Sequence, residues 1–183
     1  MKTFKEFISE NDGKKDYACV MAYITGPLEK EILDFSKNIK DDDIYTAPDD
    51  NYGREEDIHA TILFGLHSND PTKVKKLVSG YGSLKLTLGR VSLFSSKETG
   101  KEYEVLKIDI RSKDLKKLHN LLADKLPNTQ THSSYKPHAT LAYMKKGKGE
   151  QYVGNTQFEG KEFVIDSVKF STKDSENTLI DLV

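Results

Sequence analysis

Hydrophobic positions along this chain change their period repeatedly, and each change predicts an element. Residues 17–25, YACVMAYIT, form a continuous apolar run that suits a strand buried on both faces. Pro27 stands where a first helical turn tolerates it, and Leu28, Ile32, Phe35 and Ile39 follow at helical spacing, which predicts a helix over 27–39. The polar stretch from Lys40 to Asp57, KDDDIYTAPDDNYGREED, carries eight acidic residues with a Pro and a Gly and reads as a loop or a mobile flap. A second strand is predicted over 58–65, then a helix that starts at Asn69-Asp70-Pro71, buries Val74, Leu77 and Val78, and stops at Gly80. Leu84, Leu86 and Leu88 alternate with polar positions, Gly89 suggests a bulge, and Val91 and Leu93 resume on a shifted register. Ser95 to Lys101 turns the chain into a partner strand through Leu106, Ile108 and Ile110. Ser112 caps a helix whose stripe is Leu115, Leu118, Leu122 and Leu126, ended by Pro127. Asn128 to Lys136 reads as a loop, 137–143 as a strand, 145–160 as a Gly- and Lys-rich connection, and 163–170 and 178–182 as strands. The sum is a mixed α/β chain with helices over one face of sheets that contain antiparallel hairpins.

Composition narrows the partners. With 183 residues, 36% hydrophobic and 31% charged, the chain fits one domain or one domain of two lobes. No apolar run approaches the about 18 residues a bilayer-spanning helix needs. The 28 basic residues nearly cancel the 29 acidic ones, so no overall cationic field exists to hold a long nucleic acid, and any nucleotide ligand is small. The single cysteine, Cys19, excludes a disulfide framework and a thiolate zinc cluster, which fits a reducing cytoplasm. Met1 to Glu10 lacks the apolar core of an export signal; Phe4, Phe7 and Ile8 share one face of a short helix that Asn11-Asp12-Gly13 interrupts.

The informative pattern is an internal repeat. His59-Ala60-Thr61-Ile62-Leu63 returns as His138-Ala139-Thr140-Leu141-Ala142. Five histidines and thirteen threonines placed at random would give fewer than one His-x-Thr triplet, yet two occur, each with a middle Ala and each opening a predicted strand. Side chains two apart on a strand share a face. His59 and Thr61 therefore point one way, as do His138 and Thr140, while Ile58, Ala60, Ile62 and Phe64, and then Ala139, Leu141 and Tyr143, turn toward helices. Two imidazoles can divide the roles of base and acid near neutrality, and two hydroxyls can donate to phosphate oxygens. Paired lobes of this kind could cleave a phosphodiester with no metal or cofactor. Two rivals remain at this level: solvent-facing histidines on exposed sheet faces, and a metal site in which Asp57 joins His59.

Two His-x-Thr motifs in the two halves of a mixed α/β chain of this size resemble the two-histidine (2H) phosphoesterase superfamily, with its RNA-ligase-like (LigT) and cyclic phosphodiesterase members. That resemblance implies an α/β (α+β) bilobal fold of residues 14–183, with two pseudo-symmetric lobes of mixed or antiparallel sheet, outer helices and a central cleft. It implies metal-independent cleavage of ribonucleotide phosphodiesters, with catalytic roles for His59, Thr61, His138 and Thr140. Residues 1–13 are then a leader, and they resemble the opening of internal head proteins of large tailed bacteriophages. The two together point to the viral anti-CBASS enzymes that destroy cyclic oligonucleotide signals in the host cytoplasm. RNA 2′,3′-cyclic ends, 2′-5′ linkages, sequestration of a nucleotide without turnover, and a passive virion protein are the alternatives.

Other residues carry weaker signals. Tyr135 and Lys136 precede the second motif, where a ring could stack a base and an ammonium could meet a phosphate. Tyr17, Tyr23 and Phe64 are candidates for base contact or for core. Lys145, Lys146 and Lys148 could close over an anion or merely decorate a surface loop. His67, His119 and His132 read as ordinary surface residues.

Overall fold

The computed structural model describes residues 17–47, 52–129 and 134–183; the leader and His132 lie outside them. The strands are β1 (Ala18–Tyr23), β2 (His59–Leu66), β3 (Leu84–Phe94), β4 (Tyr103–Arg111), β5 (His138–Lys145), β6 (Glu162–Ile165), β7 (Ser167–Ser171) and β8 (Asn177–Asp181). The helices are α1 (Pro27–Lys37), α2 (Thr72–Val78), α3 (Ser96–Thr99) and α4 (Lys113–Lys125).

All eight strands join one sheet in the order β6-β3-β4-β5-β2-β1-β7-β8, with every pairing antiparallel. The expected lobes are thus halves of one sheet, and neither contains the parallel pairing that a mixed sheet would have. Both motif strands sit at its middle. Between them the ladder holds at one residue pair, Ala60 opposite Ala139.

The sheet has to curl. In a flat sheet β6 and β7 would lie six strand spacings apart, about 29 Å at roughly 4.8 Å each. Only Asp166 separates them in the chain, and two steps between Cα atoms reach at most about 7.6 Å. The seam is tied by backbone bonds from the Leu182 N–H to the Asp166 carbonyl, 2.8 Å, and from the Gly82 N–H to the Leu182 carbonyl, 2.9 Å. Residues 163–170, expected as one strand, are therefore two. Their apolar positions show why: Phe163 and Ile165 alternate, then Val168 and Phe170 resume out of step.

The helices interlock the halves. α1, which follows β1, packs on β5, whereas α4, which follows β4, packs on β2 and β3. Leu115, Leu118 and Leu122 of α4 are fully buried, each contributing about 2 kcal/mol of apolar burial. Ser112 caps α4 by accepting the Leu115 N–H at 3.1 Å. The register shift expected at Gly89 falls between Leu88 and Val91. In place of a plain turn, residues 95–101 contain α3, built on a Ser95/Glu98 capping box and closed by Gly100 at φ 68°.

The acidic segment 40–57 is a loop in its described residues, as one of the two expectations had it, with one short helical turn at Asp41–Asp43. Its described residues are bonded along β5: the Tyr45 N–H to the Tyr143 carbonyl at 2.9 Å, the Tyr143 N–H to the Gly53 carbonyl at 2.7 Å, and the Glu55 N–H to the Leu141 carbonyl at 3.0 Å. Arg54 anchors it by donating to the carbonyls of Ser36 and Ile39 and to Asp41. Buried Asp43 accepts from the Tyr152 hydroxyl at 2.8 Å and from Gln151 at 3.0 Å. Residues 40–47 and 52–57 are thus bonded along β5 and to α1 as a strap. The Gly- and Lys-rich connection likewise inserts a fully buried Phe158 edge-on against Phe35, 5.4 Å between ring centres.

Candidate active site

The single pair Ala60–Ala139 brings the two motifs together. In an antiparallel register the positions flanking that pair oppose His59 to Thr140 and Thr61 to His138. Both alanines are fully buried beneath the helices, and the four polar residues on the other face are half-buried. His59, Thr61, His138 and Thr140 thus form one diagonal quartet, as the spacing of the repeats implied.

The two strands also share a deformation. The ladder slips between the pairs Val20–Leu63 and Met21–Thr61 in one half, and between Leu106–Ala142 and Lys107–Thr140 in the other. In each case the extra residue directly follows the motif threonine: Ile62, then Leu141. Phe64 and Tyr143, expected to face the helices, are therefore carried to the same face as the quartet, with Phe64 opposite Cys19 and Tyr143 opposite Val105. Strict alternation fails here because a bulge changes which face the following residue meets.

Both imidazoles are held in one tautomer. Nδ1 of His59 lies 2.9 Å from the carbonyl of Asp57, and Nδ1 of His138 lies 2.8 Å from the carbonyl of Lys136. A carbonyl only accepts, so each Nδ1 carries the proton and each Nε2 is the atom that gains or loses one. Asp57 was weighed as a metal ligand beside His59; its main chain serves as the ring's anchor. Among the described residues no three His, Cys, Asp or Glu side chains gather as a metal ligand set.

Each histidine also has an aromatic neighbour with a lysine over it. Tyr23 stacks on His59 at 5.2 Å between centres, and Lys169 Nζ lies 3.7 Å above the Tyr23 ring. Phe94 meets His138 edge-on at 4.9 Å, and Lys107 Nζ lies 4.3 Å above the Phe94 ring. Burial, reinforced by Asp57, Cys19 and Glu55, pushes the Tyr23 hydroxyl up to about 12, so it stays a neutral phenol. Lys107 is buried, and it donates to Ser92 Oγ at 2.6 Å and to Asp109 Oδ1 at 2.5 Å, while the Ser92 hydroxyl donates to Asp109 at 2.8 Å. Burial would raise Asp109, but the hydrogen bonds from Lys107 and Ser92, with the charges of Lys107 and His138, hold it below the usual carboxylate range. Phe94, Lys107, Asp109 and Lys169 were not assigned to the site from sequence, and Tyr23, a candidate for base contact or for core, stacks on an imidazole. The visible signal was polar Lys107 and Asp109 alternating inside an apolar strand.

The remaining candidates have partners of their own. Tyr17 stacks on His67 at 5.6 Å and meets Phe64 edge-on at 6.1 Å, an aromatic group where the chain enters β1 and leaves β2. Tyr135 donates its hydroxyl to the Thr61 carbonyl at 2.9 Å and stacks on His119 at 4.0 Å. His119 sits with Nδ1 2.7 Å from the Ile62 carbonyl, so it pins the bulge and is no idle surface residue. Lys136 is exposed. Lys145 donates to the Asp42 carbonyl at 2.8 Å, turned toward the acidic strap.

The curled antiparallel sheet that carries the two His-x-Thr strands side by side at its centre is a fold shared with solved structures. The same fold occurs in Escherichia coli LigT in its apo form, at 16% identity and a TM-score of 0.55 over 93% of this chain and 96% of that one. Kluyveromyces marxianus Usb1 shares it at 8% identity and a TM-score of 0.59, over 92% and 99% of the two chains. TT0787 of Thermus thermophilus does so at 12% and 0.55, over 91% and 95%. LigT has also been crystallised with 3′-AMP, and the K. marxianus protein with uridine monophosphate. The chain belongs to the family of the anti-CBASS protein Acb1, whose match spans residues 45–176 and takes in both motifs. Comparison of the sequence with curated proteins gives no match.

Proposed function

We propose that this protein is a metal-independent phosphodiesterase that cleaves ribonucleotide phosphodiester bonds, and that its substrates are the cyclic oligonucleotide second messengers of host antiviral defence. The observation that carries the reading is the quartet: two imidazoles in the same tautomer, each with Nε2 as its working atom, and two hydroxyls on the same face. One Nε2 takes the proton of the ribose 2′-hydroxyl, whose oxygen attacks phosphorus. The bond to the 5′-oxygen breaks, and the other Nε2 protonates that leaving oxygen. Thr61 and Thr140 donate to the non-bridging oxygens as charge builds on them. The product is a 2′,3′-cyclic phosphate. An adjacent 2′-hydroxyl is preferred over water because it is already held beside the phosphorus. Membership of the anti-CBASS family supports the cyclic substrate, and the nucleotides seen in LigT and in the K. marxianus protein support a small one.

The test is a panel of cyclic oligonucleotides, 2′,3′-cyclic ends and 2′-5′ oligomers, analysed by chromatography with EDTA present. Cleavage of the cyclic compounds, blocked when the 2′-hydroxyl beside the scissile phosphate is replaced by hydrogen, is expected. His59→Ala and His138→Ala should each abolish most activity, with the double variant little worse, because either loss removes the same concerted transfer. Activity that disappears in EDTA and returns with a divalent ion overturns the metal-independent reading. Hydrolysis of 2′,3′-cyclic ends alone makes this an RNA-end enzyme.

A further inference from the structure

The two histidines share a tautomer but not a setting. In an antiparallel sheet, directly opposed residues on one face bring their Cβ atoms within about 5.5 Å. The residue opposite His138 on β4 is Asp109, and the residue opposite His59 on β1 is Tyr23. One imidazole therefore faces a carboxylate and the other a phenol.

The carboxylate is a built feature. Lys107 is 7% exposed at its side chain, and it spends its buried ammonium on Asp109 and Ser92. β3 adds a constraint: a Cβ at Gly89 would come within 3.1 Å of the Asp109 Cβ and carbonyl oxygen, so the strand approaches Asp109 as closely as glycine permits. Asp109 is thereby fixed in place and kept charged while His138 titrates. A nearby anion favours the protonated imidazole.

We propose that Asp109, set by Lys107 and Ser92, is a positioning residue that makes His138 the proton donor of the pair and leaves His59 the acceptor. The other charges are accounted for on each side. Around His138 they are Lys107 itself, Lys136 two residues earlier, and Glu98 on α3, which lies within electrostatic reach of both lysines. Around His59 they are Lys169 over the Tyr23 ring and, opposing it, the carboxylates of Asp57 and Glu55 that act on Tyr23 together with Cys19. By number these charges do not favour His138, with Asp109 and Glu98 against Lys107 and Lys136 on its side and Asp57 and Glu55 against Lys169 on the side of His59; position does, because Asp109 alone stands directly opposite an imidazole and acts on it. The opposed partner decides the difference: an anion for His138 and a neutral ring for His59.

This assignment rests on the acid and base reading for its catalytic meaning, yet its titration is read without substrate. The imidazole C–H resonances of the free protein are followed by NMR against pH and assigned with His59→Ala and His138→Ala. His138 is expected to titrate above His59. Asp109→Asn should lower the His138 midpoint by about half a pH unit or more, as loss of a half-exposed neighbouring charge requires, and should leave His59 where it was. Lys107→Met, which strips Asp109 of its counter-charge, should move His138 the other way. On a cleaved substrate, Asp109→Asn should bring the alkaline limb of the rate profile to lower pH and leave the acid limb fixed. A His138 midpoint indifferent to Asp109→Asn, or His59 the more basic of the two, overturns the proposal whatever the substrate panel gives. A shifted His138 in a protein that cleaves nothing leaves the electrostatics standing and removes the phosphodiesterase reading.

Discussion

A single side chain decides little in this molecule until its backbone carbonyl is counted as well. His59 and His138 are useful because Asp57 and Lys136 each offer a carbonyl two residues upstream. That bond was invisible in sequence, since it involves no particular side chain. The quartet itself was legible, because His-x-Thr on a strand fixes a common face without any knowledge of the rest of the fold. The settings around each histidine were not: Tyr23, Lys169, Phe94 and Lys107 reach them across strands whose order no local pattern encodes. The hydroxyls give the test proper to this scale. Thr61→Val and Thr140→Val keep the shape and remove one donor each, so kcat should fall on the order of 10²-fold per substitution, with the unfolding midpoint nearly unchanged. Unaltered kcat in either variant would remove that threonine from the reaction.

Elements were readable wherever one period persisted and misread where it broke. The α4 stripe, the Ser112 cap and the shift at Gly89 all follow from local spacing. The bulges after Thr61 and Thr140 do not, because Ile62-Leu63 and Leu141-Ala142 are apolar doublets that fit either register. Their cause is tertiary: the Thr61 and Ile62 carbonyls are taken by Tyr135 and His119, and the backbone of Leu141 and Tyr143 by the 40–57 strap. Each motif strand is thus held by the segment that leads into the other motif. Gly65 records the close approach on the first side. Its φ is 96°, and a Cβ there would lie 2.2 Å from the Thr129 carbonyl oxygen, whose own N–H bonds to the Gly65 carbonyl at 2.9 Å. Gly65→Ala should cost about 3 kcal/mol or more, combining backbone strain with a clash that cannot be relieved cheaply. Denaturant unfolding measures it, and a loss under about 1 kcal/mol would mean that residues 127–129 do not press on β2.

At the scale of the whole molecule the halves are interlocked. α1 and α4 each cross to the other half, residues 163–170 divide between opposite ends of the sheet, and Leu182 ties the seam. One cooperative unfolding transition is expected, with the same midpoint by near-UV and far-UV circular dichroism; two separated transitions would show the halves to be independent. The same architecture leaves the middle of the sheet joined by a single residue pair, and both members are alanine. Two methyl groups therefore serve as the pivot of a caliper whose jaws are the imidazoles and hydroxyls. A bulkier side chain at position 60 or 139 would reset the span of all four groups at once, so under the proposed function the gauge of the phosphate site would be set by two residues on the opposite face of the sheet.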